Sequence, residues 1–277
     1  MRRFLRRWLG AFKSVFGLVL LVAIVTGTIL APLISPYPPT EANFAIARNA
    51  PSLEHWFGTD NLGRDVLSRV IYGGRVSLMA GFLPVVIAAT MGSILGLIAG
   101  YFRGRLEDII MRGADALLAF PPLVLTFAII FALGPNLRNA LIAIGITMIP
   151  EYIRVVRGQV LSLREHEFVV AALSIGAGSR RILWQHISPN LVAPVIVLAT
   201  IGSGRAILIE AGLSYLGLGV QPPRASWGSM VRDGYSYIDQ AAWMAVFPGL
   251  AIMITVLALN FVGDGLRDAM DPRTDRR

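Results

Sequence analysis

The sequence predicts an all-α, polytopic membrane protein with about six transmembrane helices. Its 277 residues are 55% hydrophobic, with a mean hydropathy of +0.64. Only 15% are charged, whereas a soluble domain keeps roughly a quarter, so there are too few charges to coat a water-facing surface. The charges also cluster and leave long gaps. Lys13 to Glu41 and Arg75 to Arg103 each enclose 27 uncharged residues, Asp115 to Arg138 encloses 22, and Asp239 to Asp264 encloses 24. A bilayer core of about 30 Å needs roughly 20 apolar residues of helix, so each gap is long enough to cross.

The first predicted span is Val15–Ile34. It follows Arg2, Arg3, Arg6, Arg7 and Lys13. A basic start before an apolar run also describes a signal peptide, but the run exceeds a signal core of about 7 to 15 residues. Ala31-Pro32-Leu33 is a poor cleavage site, so an uncleaved anchor is expected. Pro36, Pro38 and Pro39 then stop helix formation. Residues 61–72 carry apolar residues at intervals of four (Leu62, Val66, Val70; Leu67, Ile71), which predicts an amphipathic helix lying on the membrane surface. Helix 2 is expected at Ser77–Ala99, with Gly92, Gly96 and Gly100 forming a GxxxG series for close helix approach. Helix 3 is expected at Leu117–Leu133. Helix 4, at Asn139–Val155, is interrupted by Pro150 and Glu151, and a re-entrant segment is the alternative there. Helices 5 and 6 are expected at Leu191–Gly212 and Ala242–Val262.

Orientation follows from the excess of Lys and Arg in cytoplasmic loops. With the N-terminus inside, 17 of the 25 cations fall on the cytoplasmic side and seven outside, namely Arg48, Arg64, Arg69, Arg75, Arg138, Arg224 and Arg232. Both termini are therefore expected in the cytoplasm. The same rule accounts for the net charge of +8. No aromatic-interleaved basic groove is present, which argues against a nucleic-acid partner.

The cytoplasmic segment from Arg157 to Asn190 is too polar for lipid and too long for a turn. Ser162–Leu173 can form a helix, Gly176-Ala177-Gly178-Ser179 breaks it, and Arg180–Ile187 forms a second short helix before Pro189. A docking surface for a soluble partner and a solvated loop both fit this pattern.

Several chemistries lack their residues. No glycine loop ends in Gly-Lys-Ser/Thr, and Lys13 is the only lysine, so ATP hydrolysis by this chain is not expected. His55, His166 and His186 lie far apart in polar segments, and cysteine is absent, so a metal site is not expected. Gly202-Ser203-Gly204 does not match a nucleophile elbow. Within the spans, Arg205 and Glu210 stand out, because buried charge in a membrane faces a partner or a water-filled path. They are five residues apart, a poor match to the three or four of a same-face pair. Lining a translocation path, forming an interhelical ion pair and snorkelling remain open for them.

The residues also carry a family resemblance over nearly the whole chain. One mark is His55-Trp56-Phe57-Gly58-Thr59-Asp60-Asn61-Leu62-Gly63-Arg64-Asp65-Val66-Leu67-Ser68-Arg69, followed by Tyr72-Gly73 and Arg75. A second is Glu210-Ala211-Gly212-Leu213-Ser214-Tyr215-Leu216-Gly217-Leu218-Gly219-Val220-Gln221-Pro222-Pro223, then Ser226-Trp227-Gly228. A third runs from Asn260 to Asp268 and ends Asp271-Pro272-Arg273. With these marks the chain resembles the second permease subunit of ATP-binding-cassette importers for dipeptides, oligopeptides and nickel. The resemblance implies a type I importer permease fold in the bacterial or archaeal cytoplasmic membrane, and an organisation into residues 1–75, a permease core 76–265 with a coupling loop 157–190, and a tail 266–277.

It further implies a coupling motif seated on an ATPase. Ala171, Ala172, Gly176, Ile187 and Pro189 match that motif, while Val170 replaces its acid and Ser188 its common leucine. Phe168 to Leu173 would face the ATPase groove, with Arg180 and Arg181 available to acidic groups. The implied partners are a homologous second permease, two cytoplasmic ATP-binding subunits, an extracytoplasmic substrate-binding protein and membrane lipid. ATP and Mg would be used by the ATPases and no cofactor held by this chain. Peptides are the expected cargo, with nickel and glutathione as alternatives. A stand-alone channel, a secondary transporter and a membrane-bound enzyme are the readings from other classes.

Overall fold

The computed structural model describes residues 12–270. Five of its helices are long and apolar enough to cross a membrane, and a sixth crossing is added if one bent pair counts as a single span. Among the described residues there is no strand, only an isolated bridge between Thr59 and Asp65.

Helix α1 (Phe12–Ile29) is followed, after Leu30, by the single turn α2 (Ala31–Ile34), with Pro32 in its first turn. The next crossing, α3 (Val66–Phe102), has 37 residues, about 55 Å of helix. From Val66 on, the amphipathic stretch expected on the membrane surface is instead the N-terminal end of α3. Asp65 starts the helix by accepting the Ser68 amide at 2.7 Å, an N-cap that satisfies an otherwise orphan donor. The helix runs through Gly73-Gly74 without a break. A Cβ on Gly74 would lie 2.9 Å from the Trp227 ring, so the glycine makes room for a neighbour while the helix continues.

Arg103 and Gly104 both take positive φ and turn the chain into α4 (Gly104–Leu118). α5 (Pro122–Leu133) follows at an angle of 92°. The span expected at Leu117–Leu133 is therefore corrected to a broken one. Pro121-Pro122 removes the hydrogen-bond donors that would carry α4 onward. Ion pairs Arg154–Asp115 (2.6 Å) and Arg157–Glu107 tie α4 to the next helix.

That helix, α6 (Leu137–Arg164), is continuous for 28 residues, with Pro150 inside it. The re-entrant alternative does not hold. In α6, 67% of the apolar window is buried, against 17% to 33% in the other four long spans. A helix enclosed by protein can carry Glu151 because that charge meets a partner and not lipid. The GxxxG series packs here as expected. Cβ atoms on Gly92, Gly96 and Gly100 would lie 2.8, 2.7 and 3.0 Å from the carbonyl oxygens of Ile149, Ile153 and Arg157. Lipid tails are as apolar as leucine, so association inside a bilayer rests on such close packing.

α7 (Glu167–Ser174) is short. α8 (Ser179–Tyr215) contains a π stretch at Ile182–Ile187 and then runs through the membrane. Two expectations change here. The helix predicted over Ser162–Leu173 is split at Glu165-His166, and Arg180–Ile187 is the first part of the spanning helix. The wider π turns precede Pro189, whose ring would meet the i−4 carbonyl of a regular helix. α9 (Trp227–Tyr235) begins in a capping box between Ser226 and Ser229, and α10 (Trp243–Met270) closes the bundle.

Three apolar clusters stack along the bundle. The first joins Val66, Met230, Ala241 and Met244. The central one joins α3, α6 and α8 through Val85, Ile144, Met148, Tyr152 and Ala206. The third sits where α6 ends and α8 begins and includes Val156, Val160, Val169, Ile182 and Ile187. Outward-facing side chains such as Val22, Phe82, Ile94, Phe131 and Met253 are exposed, as lipid-facing positions must be.

Candidate functional site: an exposed loop and two buried polar clusters

The first cluster is built from the His55–Arg75 motif. The Asp60 carboxylate accepts from Arg64 Nε at 2.7 Å and from the amides of Leu62 and Arg64, with Arg69 Nε at 3.3 Å. The second carboxylate, Asp65, accepts from the Ser68 hydroxyl and lies 3.0 Å from His55 Nδ1. All four charged residues, Asp60, Arg64, Asp65 and Arg69, are buried. Trp243 and Trp227 lock this knot by donating their indole N–H to the Thr59 and Val70 carbonyls. A paired and hydrogen-bonded buried charge holds one arrangement, because losing a single partner is costly. Helical periodicity alone did not reveal this. His55, expected only to lie in a polar segment, is a member of the knot.

Within the membrane, the structure separates the two singled-out charges of α8. Arg205 pairs with Glu151 of α6, 54 residues away. The guanidinium is half exposed and Glu151 about a third. Glu210 is fully buried on another side of the helix. One of its oxygens accepts from the Ser214 hydroxyl at 2.5 Å, and Ser214 Oγ accepts the Val220 amide. The other, Oε2, has no partner among the described residues. An Arg205–Glu210 pair is thus excluded. Five residues at about 100° each place the two side chains well apart around the helix axis. Glu151 was the residue missed. It had counted only as an interruption, although a lone acid in an apolar helix calls for a cation.

In the segment between α6 and α8, α7 ends in a Schellman turn. The Ala177 amide donates to the Ala172 carbonyl and the Gly176 amide to Leu173, with Gly176 at φ +80°. This is the geometry in which a residue without Cβ terminates a helix. The eight motif residues divide by burial. Phe168, Ala171, Gly176, Arg180, Arg181 and Pro189 are exposed, while Ala172 and Ile187 lie in the third apolar cluster and hold the loop to the bundle. Sequence reasoning missed Trp184 and Ile175, which are 69% and 83% exposed. A tryptophan within a polar stretch was the available signal. Phe168 lies between His166 and His186, with ring centroids 5.9 and 6.4 Å away. Among the described residues, no three His, Cys, Asp or Glu side chains converge as a metal site would require.

The comparisons agree with this arrangement. Residues 92–276 match the family described as binding-protein-dependent transport system inner membrane component, and residues 1–51 match the N-terminal TM domain of oligopeptide transport permease C. A dipeptide transport system permease protein of Alkalihalophilus pseudofirmus is 46% identical over 96% of this chain and 90% of its own length. A di/tripeptide transport system permease protein of Pseudomonas aeruginosa is 43% identical over 93% of this chain and 87% of its own. For a probable D,D-dipeptide transport system permease protein of Escherichia coli the values are 42%, 95% and 89%. A bundle of membrane-crossing helices, the three motifs and matches over nearly the full length converge: this chain belongs to the family of binding-protein-dependent transport system inner membrane components and is a multi-pass transport permease.

Proposed function

We propose that this permease carries dipeptides or oligopeptides across the cytoplasmic membrane as one half of a translocation path, the other half being a homologous permease. The names of its relatives support the peptide cargo. A soluble binding protein delivers substrate to the outer face, and two cytoplasmic ATPases close on ATP and Mg. Residues 157–190 are the coupling loop within a core that spans 76–265, and residues 1–75 form an N-terminal unit. The observation that carries this reading is the set of exposed apolar side chains on α7. Phe168, Val170 and Leu173 are 41%, 50% and 48% exposed, in a loop that Gly176 bends and Ala172 and Ile187 anchor. Water-facing apolar side chains at a helix end fit a partner's groove.

ATPase-driven transport predicts that the purified chain alone, in proteoliposomes, neither binds ATP nor takes up a labelled dipeptide. Robust uptake without the second permease and the ATPases would favour a stand-alone transporter instead. Orientation is tested by reporter fusions. Those after Asp60 and Ser229 should read outside and one after Gly178 inside, and an outside signal at Gly178 would reverse the loop assignment.

Arg205 and Glu151 line the path or hold its gate in this reading. Arg205→Gln and Glu151→Gln are each expected to lower peptide uptake several-fold, since either leaves a charge unpaired at membrane depth. The double variant should recover much of the loss, because contacting residues couple non-additively. Wild-type uptake in both single variants would remove the pair from the mechanism.

A further inference from the structure

On the outer half of the bundle, two hollows meet at Arg75. One is a cleft of about 430 Å³ between α1, α3 and α8, lined by Leu21, Val25, Leu78, Met79, Phe82 and Ile207. The other is a cavity of about 350 Å³ lined by Arg69, Tyr72, Arg75, Pro223 and Arg224. Arg75 borders both. Its Nε and Nη2 donate to the carbonyls of Thr28 and Ile29 at the end of α1, each at 2.7 Å, and its guanidinium lies 5.3 Å from the Tyr72 ring centroid. None of these partners is an anion. Arg224 is exposed, and among the described residues it forms no ion pair. Arg69 shares the Asp60 carboxylate with Arg64. No carboxylate lines the cavity. Two uncompensated cations therefore line one cavity, which adjoins the apolar cleft through Arg75, and Tyr72 beside them is a residue type that marks the membrane–water interface. From Arg75 to Phe82 the cleft follows about 10 Å of helix, which lies within one leaflet of a 30 Å core.

We propose that this crevice binds one anionic glycerophospholipid of the outer leaflet, with its phosphodiester at Arg75 and Arg224 and an acyl chain in the cleft beside Met79 and Phe82. The matched chemistry is phosphate against guanidinium and alkyl chain against an apolar wall. Free phosphate shares the first element but not the second. The lipid would brace α1 against α3 where direct contact leaves the cleft open.

The test uses the intact transporter complex, purified in mild detergent and analysed by native mass spectrometry after addition of phosphatidylglycerol, phosphatidylcholine with the same chains, or inorganic phosphate. One phosphatidylglycerol should be retained in preference to phosphatidylcholine, and inorganic phosphate should not displace it. Arg224→Gln should reduce the preference for phosphatidylglycerol roughly fivefold, as expected for one interfacial cation. Met79→Trp should fill the cleft and reduce retention of both lipids. No retained lipid in the wild-type complex, displacement by inorganic phosphate, or an unchanged preference in Arg224→Gln would each overturn the proposal. Since Arg224 is exposed and unpaired, that variant should fold and keeps the test decisive even if Met79→Trp does not.

Discussion

Replacing Gly92 with leucine is expected to remove folded permease from the membrane. A Cβ at this position would lie 2.8 Å from the Ile149 carbonyl oxygen and against the Tyr152 side-chain root. Both obstacles are fixed: one is backbone, the other the first atom of a fully buried side chain. Overpacking of a tight core costs about 1–3 kcal/mol and occasionally more, and here the α3–α6 seam would have to part. Gly96 and Gly100 continue the seam, so movement at one level is resisted at the next. The control is Gly158→Ala on α6, where an added Cβ meets nothing within 4 Å and helix propensity rises by about 1 kcal/mol. Immunoblots of membranes and thermal denaturation in detergent should show loss for Gly92→Leu and wild-type levels for Gly158→Ala. Normal accumulation of a cooperatively melting Gly92→Leu protein would mean that the α3–α6 contact is looser than described.

The second large effect is expected at Gly176, on function and not on folding. Gly176→Val should reach the membrane normally yet lose most bound ATPase and transport. The cause lies in the backbone. An added Cβ would touch nothing within 4 Å, but φ is +80°, a region that costs an L-residue about 1–2 kcal/mol and a β-branched one more. The turn would open, and the exposed side chains of α7 would swing away from their docked position. Two companions separate strain from crowding. Gly176→Asn should retain partial coupling, because asparagine tolerates this conformation. Gly178→Val should be mild, since Gly178 has φ −68° and open space around it. Co-purification of ATPase with tagged permease is the readout. Full retention and uptake in Gly176→Val would show the loop to be a solvated connector.

Much of the fold was legible because hydropathy and charge bias are properties of a linear segment. Uncharged gaps of 22 to 27 residues located α1, α3, the α4–α5 pair and α10. Gly176 could be read as a helix end, because few residues other than glycine adopt positive φ. Gly73-Gly74, left between the stretches expected at residues 61–72 and Ser77–Ala99, lies instead inside α3. The same missing Cβ serves a turn in one place and a close helix contact in the other, and only the neighbour tells which. Trp227, more than 150 residues away in sequence, is that neighbour. Glu151 looked like a flaw in α6 until α8 supplied Arg205.

The sequence alone determined that the chain crosses the membrane about six times, which short segments are too polar for lipid, that the GxxxG face of α3 packs, and to which permease family its motifs belong. Tertiary structure alone decided that Asp60, Arg64, Asp65 and Arg69 close into a buried knot, that Arg205 and Glu210 face different partners, that Pro121-Pro122 bends a span by 92°, and that Ala172 and Ile187 anchor the loop that exposes Phe168, Val170 and Leu173. The physical reason is the same in each case. Apolar length and local turn chemistry act within a segment of one or two dozen residues, whereas the partner of a charge is set by which faces of distant helices the fold brings together.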